Sequence, residues 1–417
     1  ESRTIFARDA LVTGEINTGS TTVVYNGIPN HATRKIYTKS PTGYGDFNAS
    51  NTNVTSNLVG SSTNLINFLR GDDSNEETAD GVGPYRNRDS LLGDIVNSTP
   101  VFIDEGVNMS YEKLPAGTYG QASYQTFYTA KKARSEGVLF VGANDGMLHG
   151  FRGSTGAEVF AFVPRAVIPN MHLLANKVYD HRYFVDGPNI EQDACFGSAS
   201  TCTWTNLLIG TAGAGAKSIF AFDVTSPLTM TSSAVLWEID STSTGFANLG
   251  HILSDVQTGL AMNGQWVAVF GNGYESADGV ARLYVVNLQT GALIREISTG
   301  VGGSNGLGGV KLLRDNYMRI VGAYAGDLKG KLWKFDLSNT AAGSWSVGLS
   351  GSPLYDAGTT QPITAPPTLV DHPSGGYVVA FGTGKFYQTV DATSTTTQAL
   401  YGVWDSVPLG TTTTPSG

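Results

Sequence analysis

The feature that most constrains the fold of this chain is a short repeat that recurs between residues 138 and 405. In its two clearest copies an apolar run and a polar turn lead into the pattern Gly-x-Leu-x-x-Phe, at residues 146–151 and 330–335. Three looser copies have Ile219, Leu283 and Tyr401 in place of the repeat's Leu, so that, counted from this position, neighbouring copies lie 49 to 71 residues apart. A four-stranded propeller blade takes about 40 to 50 residues. The spacing therefore predicts one blade for each copy, with loop insertions in the longer intervals.

A second repeat, a short strand-like segment, precedes each copy of the first. Its instances are Pro100–Asp104, Val185–Asn189, Asp255–Met262, Val310–Asp315 and Pro367–Asp371. Two repeats that alternate in the same phase predict an all-β fold, a modified β-propeller whose blades bury their faces against each other. Five blades follow from the repeats, and we favour seven because residues 1–90 and the insertions offer room for one or two more. The alternative is a pair of β-sandwiches.

The repeats also suggest domain boundaries. We assign residues 1–64 to an N-terminal β and loop region that leads into the propeller, residues 65–405 to the propeller, and residues 406–417 to a polar C-terminal tail or linker. The 52 glycines and the charged fraction of 15% are typical of a β protein with many turns. The chain opens in a way that resembles the middle of a sequence, so we interpret it as a fragment or mature form of a longer protein.

Charge and cysteine content exclude several classes of partner. The net charge is −9 and no run of Lys or Arg occurs, which argues against nucleic-acid binding. The sequence contains no stretch of about 18 apolar residues, so no membrane span is predicted. The two cysteines, Cys195 and Cys202, lie in a loop rich in Gly, Ser and Thr. A disulfide between them would fit an oxidising compartment, and two free thiols are the alternative.

Some segments match catalytic or ligand-binding motifs, but each match is incomplete. Residues 302–306 match Gly-x-Ser-x-Gly, but a Gly-rich loop precedes them and a β repeat follows, whereas a nucleophile elbow needs a strand and then a helix. Residues 210–218 resemble a phosphate-binding loop but lead into a strand. The six histidines lack the spacing of zinc ligands. The sequence predicts no catalytic residues, no bound cofactor and no enzyme activity.

An acidic segment is a candidate cation site. Its possible oxygen ligands are Asp72, Asp73, Asn75 and Glu76. Calcium prefers such ligands, but the segment lacks the glycine that an EF-hand loop has at its sixth position. Calcium is therefore a hypothesis here, and a solvated acidic loop is the alternative.

The acidic segment overlaps an RGD tripeptide, Arg70-Gly71-Asp72. Displayed on a mobile loop, this tripeptide would bind integrins. Phe68 and Leu69 directly precede it and favour a partly buried segment instead.

Several long motifs resemble those of the PilC/PilY-type pilus tip proteins. They occupy residues 65–72, 90–101, 140–149, 324–337 and 381–385. Together they extend over most of the chain, from about residue 65 to residue 405, in a fixed order. Motifs of this length in this order make the resemblance specific.

The resemblance implies a modified seven-bladed propeller from a protein whose own N-terminal region, often a von Willebrand factor A-like domain, is missing from this chain. It implies a location at the pilus tip or the outer-membrane surface of a Gram-negative bacterium. It further implies a role in pilus extension against retraction and in twitching motility, with minor pilins of the tip complex as partners. Adhesion to a surface or to a host-cell receptor is the other implied role.

One stretch departs from the family pattern. Members often carry a calcium loop of alternating Asp residues just before the motif at 324–337, and calcium there is tied to the control of retraction. In residues 314–322 of this chain only Asp315 and Asn316 offer a carboxylate or amide oxygen for calcium, and two arginines flank them. A calcium ion takes six to eight oxygen ligands. We therefore predict no calcium at this position.

Two other functions compete with a pilus role. One is a propeller enzyme resembling the quinoprotein dehydrogenases, although their adjacent cysteines and convergent carboxylates are not visible here. The other is a purely structural scaffold at the cell surface. Loops on a rigid scaffold often carry binding functions. The loop insertions before residues 219 and 401 are therefore our candidate contact zones.

Overall fold

The computed structural model describes residues 14–17, 22–25, 27–104 and 106–410. Within this part of the chain the strands form one isolated hairpin and five larger sheets. The hairpin pairs β1 (Gly14–Asn17) with β2 (Thr22–Tyr25). The five sheets follow one another along the chain, as expected for the blades of a propeller.

The first sheet has six strands in the order β4-β3-β8-β7-β6-β5. Its strands are β3 (Ile36–Ser40), β4 (Gly43–Asp46), β5 (Val101–Ile103), β6 (Val138–Ala143), β7 (Met147–Arg152) and β8 (Glu158–Phe162). The second sheet has four antiparallel strands in chain order: β9 (Asn189–Gly197), β10 (Cys202–Thr211), β11 (Ser218–Asp223) and β12 (Val235–Asp240).

The remaining three sheets also keep chain order. The third contains β13 (Gln257–Leu260), β14 (Trp266–Gly271), β15 (Arg282–Asn287) and β16 (Leu293–Ser298). The fourth contains β17 (Leu307–Arg314), β18 (Ile320–Asp327), β19 (Lys331–Asp336), β20 (Ser346–Val347) and β21 (Tyr355–Asp356). The fifth has only β22 (Thr368–Asp371), β23 (Tyr377–Gly382) and β24 (Leu400–Asp405).

Helices are short and lie in the connections. The α-helices are α1 (Thr52–Asn57), α2 (Thr63–Leu69) and α3 (Gln121–Lys132). The 3₁₀ helices span Tyr111–Lys113, Arg165–Ala175, Pro227–Thr229, Ser232–Ala234, Ala342–Ser344, Leu349–Gly351 and Thr389–Thr393. The fold is all-β, as the repeats predict.

Each copy of the Gly-x-Leu-x-x-Phe repeat supplies the third strand of one sheet. The copies fall on β7, β11, β15, β19 and β24. In the two clearest copies the Leu and Phe side chains are fully buried. The glycines of these copies, Gly146 and Gly330, have φ of 96° and 77° in the turns before β7 and β19. Only glycine adopts such angles without strain, which explains the residue type at that repeat position.

The second repeat falls on the first strand of the sheets. Three of its instances contain β5, β13 and β22, the instance at 310–315 overlaps β17, and the instance at 185–189 leads into β9. The two repeats alternate because they mark the first and third strands of each blade. The prediction of an all-β propeller is therefore confirmed.

Five sheets in the described residues are fewer than the seven blades favoured from the sequence. Residues 36–46 do not build a separate blade, because β3 pairs in parallel with β8 and adds to the first sheet with β4. This sheet therefore crosses the boundary that we assigned at residue 64.

The chain divides into two units. The first comprises the described residues up to 107, with residues 128–191 and 206–238, and its core contains Ile36 of β3, Phe68 of α2 and Phe160 of β8. The second comprises residues 108–127, 192–205 and the described residues from 239 onwards, and Trp333 and Trp345 are the largest buried side chains of one of its core clusters.

The fifth sheet has one face that the described residues leave uncovered. Its other face packs into a core cluster through residues such as Val379 and Phe381. The register places on the uncovered face only uncharged residues: Thr368, Val370, Val378, Ala380, Gly382, Leu400, Gly402 and Trp404. Leu400 is 83% exposed and Trp404 48% exposed. After β24 the chain turns away from this face, since the amide of Gly410 donates to Asp336 at 2.6 Å.

Candidate functional site

Two of the long motifs meet in the first unit. The amide of Gly93 donates to Asp145 Oδ2 at 3.1 Å, and the amide of Asn144 donates to the carbonyl of Asp94 at 3.0 Å. A Cβ atom at Gly93 would lie 2.2 Å from the backbone nitrogen of Asp145, so glycine is required for this approach. The motif at 90–101 is therefore fixed to the turn between β6 and β7.

A cavity lies beside this junction and is lined by charged side chains. Arg86 and Asp89 line it together with Asp94, Asp145 and Tyr179. Two of the three acidic groups have partners, because Asp94 Oδ2 lies 2.8 Å from His181 Nε2 and Asp145 accepts from the backbone amide of Gly93. The cavity wall thus holds the loops in place through its own ion pairs and hydrogen bonds.

Behind the junction runs a chain of buried charges. Arg34 donates two hydrogen bonds of 2.7 Å to Glu158, one from Nε and one from Nη2. His149 Nδ1 lies 2.8 Å from Glu158 Oε1, and His149 Nε2 lies 3.1 Å from both oxygens of Asp145. The side chains of Arg34 and Glu158 are each 2% exposed, and that of His149 is fully buried. This chain of buried charges joins the N-terminal region to β7, β8 and the turn at Asp145.

These contacts shift the pKa values of His149 and Glu158 in opposite directions. Burial alone would lower the pKa of His149, but the carboxylates of Asp145 and Glu158 outweigh it and raise the pKa to about 9. Burial alone would raise the pKa of Glu158, but Arg34 and His149 lower it to about 2. His149 is therefore a cation and Glu158 an anion at neutral pH.

These shifts predict a plateau of stability in mildly acidic solution. The contribution of His149 is complete below its ordinary pKa of 6.5 and is lost as the pH rises through about 9. The contribution of Glu158 is complete above its ordinary pKa of 4.5 and is lost as the pH falls towards about 2. Urea denaturation across this range measures the free energy of unfolding. A His149→Gln variant should lose the alkaline decline, and an unchanged decline would contradict the assignment.

The RGD tripeptide is not presented to a partner. The Arg70 side chain donates to the backbone carbonyls of His31, Arg34 and Phe47 over 2.7 to 3.1 Å, and Arg70 is only 8% exposed. Arg70 ends helix α2, and its guanidinium satisfies carbonyls of the N-terminal region. The arginine is occupied inside the protein, so the structure gives the integrin hypothesis no support, and integrin binding stays a prediction.

Only one carboxylate of the acidic segment, that of Glu76, is paired with an arginine among the contacts described next. Glu76 pairs with Arg88 at 2.5 Å, and the amide of Arg88 donates to its second oxygen at 2.9 Å. Asp72 accepts from the Ser74 amide at 3.0 Å, and Asn75 donates to the Ser74 hydroxyl. Asp73 is exposed to solvent. Calcium binding by this segment stays a prediction, which a thermal shift between calcium and a chelator tests.

In the structure Cys195 and Cys202 form a disulfide at the tip of the hairpin of β9 and β10. The hairpin holds the loop before α3. The indole of Trp204 donates to the carbonyl of Gly120 at 3.0 Å, and the backbone amide of Tyr119 donates to the carbonyl of Ala199 at 2.6 Å. Gly120 has a φ of 76°, and a Cβ atom there would lie 2.5 Å from the sulfur of Cys195.

We expect Gly120→Ala to lower the free energy of unfolding by about 1–3 kcal/mol, because the new methyl group overlaps the disulfide. Thermal or urea unfolding measures the loss. Gly117→Ala is a matched control, because Gly117 has a φ of 72° but no atom within 4 Å of its Cβ position. Equal losses in both variants would show that backbone strain, and not the contact with the disulfide, sets the effect.

The loop expected to lack calcium is the turn between β17 and β18. Asp315 accepts hydrogen bonds from the amides of Tyr317 and Arg319, both at 2.9 Å, and pairs with the Arg319 side chain at 2.8 Å. Asn316 lies exposed in this turn. The residues do not fit a calcium site, because the carboxylate is already bonded and the second oxygen ligand is a lone amide.

The other motifs lie in connections. Residues 302–306 form the loop between β16 and β17, and residues 210–218 span the turn between β10 and β11. In the part of the chain that the structure describes, no group of three or more His, Cys, Asp or Glu side chains is arranged to hold a metal ion. Among the helices of those residues, none is long and apolar enough to cross a membrane.

The insertion before residue 401 displays apolar side chains on an ordered turn. Phe386 is 77% exposed and Val390 is 66% exposed. Asp391 fixes the turn by accepting from the amide of Tyr387 at 2.8 Å and pairing with Lys385 at 2.7 Å. The ring of Tyr387 stacks on Tyr274 with centroids 4.5 Å apart. The turn is thus anchored on one side and apolar on the other.

Sequence reasoning missed the buried charge chain. The six histidines were considered only as zinc ligands, and none has that spacing. One signal was available, since His149 lies within the apolar run 147–151 four residues after Asp145. A titratable residue in such a run needs a buried partner. The partners Arg34 and Glu158 lie too far along the chain for sequence spacing to find them.

The junction at Gly93 and Asn144 lies within a known family domain. The sequence model described as the PilY1 beta-propeller domain matches residues 92–416. The chain belongs to the PilY1 β-propeller family. It is 40% identical over 374 residues to the type IV pilus biogenesis factor PilY1 of Pseudomonas aeruginosa strain PAK, a match that covers 83% of this chain and 31% of that protein.

Other members of the PilY1 family agree with this assignment. A PilY1 homolog of Xylella fastidiosa strain Temecula1 is 38% identical over 365 residues, which covers 82% of this chain and 24% of that protein. The crystal structure of the Pseudomonas aeruginosa PilY1 C-terminal domain is 37% identical, with a TM-score of 0.63 over 76% of this chain and 66% of that one. The chain thus spans about a third or less of the length of these curated relatives.

Proposed function

We propose that this domain supports the biogenesis of type IV pili. The observation that carries the proposal is the match to the PilY1 β-propeller family over residues 92–416, together with relatives named as type IV pilus biogenesis factors. In the proposed role the domain sits at the pilus tip, outside a Gram-negative cell, and opposes retraction so that pili extend and drive twitching motility. Minor pilins of the tip complex are its proposed partners.

The internal contacts of the domain suit a protein that resists a pulling force. Buried ion pairs join segments far apart in sequence, such as Arg34 with Glu158 and Lys334 with Asp405. Forced unfolding is governed by the unfolding rate. Contacts that are already broken in the transition state for unfolding raise the barrier to that step, because they stabilise the native state alone.

The test is to delete the segment that encodes this domain in the source bacterium and to count surface pili. We expect few or no pili in a strain that can retract them and restored pili when retraction is also disabled. Normal pilus numbers with normal twitching would overturn the role in biogenesis. Normal numbers with lost attachment would leave adhesion as the function of the domain.

We also propose that adhesion uses the insertion before residue 401. Phe386 and Val390 offer exposed apolar surface on an ordered turn, and such surface often marks interaction sites. The other insertion, before residue 219, contains the turn between β10 and β11. The receptor in this proposal is a host-cell or solid surface with apolar character.

A paired change of Phe386→Ser and Val390→Ser should reduce attachment of piliated cells by more than about tenfold, because two apolar contacts are lost. Pilus numbers should stay unchanged. Val178→Ser is a matched control, since Val178 is 87% exposed elsewhere on the surface. Equal attachment of the paired variant and the parent would contradict the assignment of this turn.

No specific observation favours either alternative function, the dehydrogenase-like enzyme or the purely structural scaffold. The curated relatives reported above are named for pilus biogenesis, whereas the dehydrogenase hypothesis needs a bound quinone. We propose that the domain is not an enzyme. An absorbing organic cofactor in the purified protein would revive the dehydrogenase hypothesis, and a deletion that affects neither pili nor attachment would favour a purely structural scaffold.

A further inference from the structure

The turn between β17 and β18 is closed by two arginines of the chain itself. Its only acidic side chain, Asp315, is held by Arg319, whose amide donates to Oδ1 at 2.9 Å and whose Nε donates to Oδ2 at 2.8 Å. The amide of Asp315 donates in turn to the carbonyl of Arg319 at 2.9 Å. The negative charge of the turn is therefore compensated within the turn.

Arg314 acts on the carbonyl oxygens around the same turn. Its Nη1 donates to the carbonyl of Met318 at 3.0 Å, and its Nη2 donates to the carbonyl of Thr258 at 2.5 Å. One guanidinium thus joins the turn to β13, a strand of a different sheet. A Cβ atom at Gly259 would lie 2.4 Å from Nη1 of Arg314, so the guanidinium lies directly against a glycine.

The conformation of the turn needs this support. Met318 has a φ of 61°, which residues other than glycine rarely adopt. Arg314 donates a hydrogen bond to the carbonyl of Met318, and Met318 is the residue of the turn with the strained φ angle. Carbonyl oxygens gathered around a positive charge are also what a hard cation needs from a protein loop. A guanidinium supplies that charge permanently, because it does not lose its proton in proteins.

We infer that Arg314 is a built-in cation that closes this turn, so that the turn keeps its shape without any metal ion. The inference rests on the proposed role in pilus biogenesis for its biological meaning. In that role, control of retraction by calcium does not act through the turn at 314–319. Replacing the arginine removes the cation that orders the turn, and calcium does not restore it because too few oxygen ligands are present.

The experiment is hydrogen exchange, measured by mass spectrometry on peptides that cover the turn, in a chelator and in calcium. In the parent protein we expect the same exchange rate in both solutions. Arg314→Met should speed exchange of the turn amides by at least about tenfold, because bonds from a charged group to two carbonyls are lost. Calcium should not slow it again. Lys311→Met, at an exposed position of the same strand, is the matched control and should leave the turn unchanged.

A second variant keeps the arginine but changes Gly259, the residue against which its guanidinium lies. Gly259→Ala places a methyl group 2.4 Å from Nη1 of Arg314, which forces the guanidinium to move, and should speed exchange in the turn as Arg314→Met does. Circular dichroism confirms that each variant is folded. The inference is overturned if calcium slows exchange in the parent protein, or if neither variant changes the turn. Pilus counts in the Arg314→Met strain report separately on the proposed function, since the exchange result does not depend on them.

Discussion

Glu158→Gln should lower the free energy of unfolding by about 3–5 kcal/mol, because it leaves two buried cations without their shared carboxylate. Arg34 and His149 both face Glu158, and all three side chains are buried. Glutamine has nearly the same shape, so the loss reports on charge and not on a cavity. Urea denaturation followed by circular dichroism measures it.

The control for this prediction is Glu136→Gln. Glu136 also pairs with an arginine, Arg152, but that arginine is 35% exposed. Exposed pairs contribute about 0–1 kcal/mol. Similar losses in the two variants would show that burial of the charge chain does not govern its energy. A double change of Arg34→Met and Glu158→Leu should recover part of the loss, because one buried cation is removed together with the carboxylate, while His149 keeps Asp145 as its partner.

Asp405→Asn should have an effect of similar size, about 3–5 kcal/mol, on the second unit. Asp405 pairs with Lys334 at 2.6 Å and accepts a hydrogen bond from the Tyr324 hydroxyl at 2.6 Å. The side chains of Lys334 and Asp405 are 3% and 1% exposed. Burial and this bond to Asp405 raise the pKa of Tyr324 well above its ordinary value of 10, so its hydroxyl stays protonated as the donor. The substitution leaves an ammonium group buried without its counter-charge.

Hydrogen exchange of the β24 amides is the local measurement, because Asp405 ends that strand and binds it to β18 and β19. We expect β24 to exchange faster in Asp405→Asn, with a lower midpoint of urea unfolding. Asp356→Asn is the control, since Asp356 pairs with Lys331 but is 49% exposed. If β24 keeps its protection in Asp405→Asn, the pair is not what holds the strand.

The parts of the fold that depend on local periodicity could be predicted from the sequence. The first and third strands of the sheets each carry a short apolar pattern that recurs once per blade, so their positions and order followed from the repeats. The glycines at 146 and 330 were visible for the same reason, since a turn with positive φ recurs at the same place.

The parts that depend on pairing between distant segments could not be predicted. β3 adds to the first sheet through Ile36 opposite Ala161, and nothing in the sequence near β3 specifies that partner. The burial of Arg70 follows from the carbonyls of a segment more than 20 residues away. The charge chain and the closure of the turn by Arg314 likewise join residues that only the folded chain brings together.

The uncovered face of the fifth sheet, together with its edge strand, has a practical consequence for work with the isolated chain. Its edge strand β24 carries Leu400, Tyr401, Val403 and Trp404 with no lysine or proline to prevent pairing with another edge. Concentrated solutions should therefore form oligomers on standing, through strand pairing between molecules. Sulfate or phosphate salts should hasten this process, because they strengthen the burial of apolar surface. A lysine in place of Leu400 should lengthen the shelf life of the preparation.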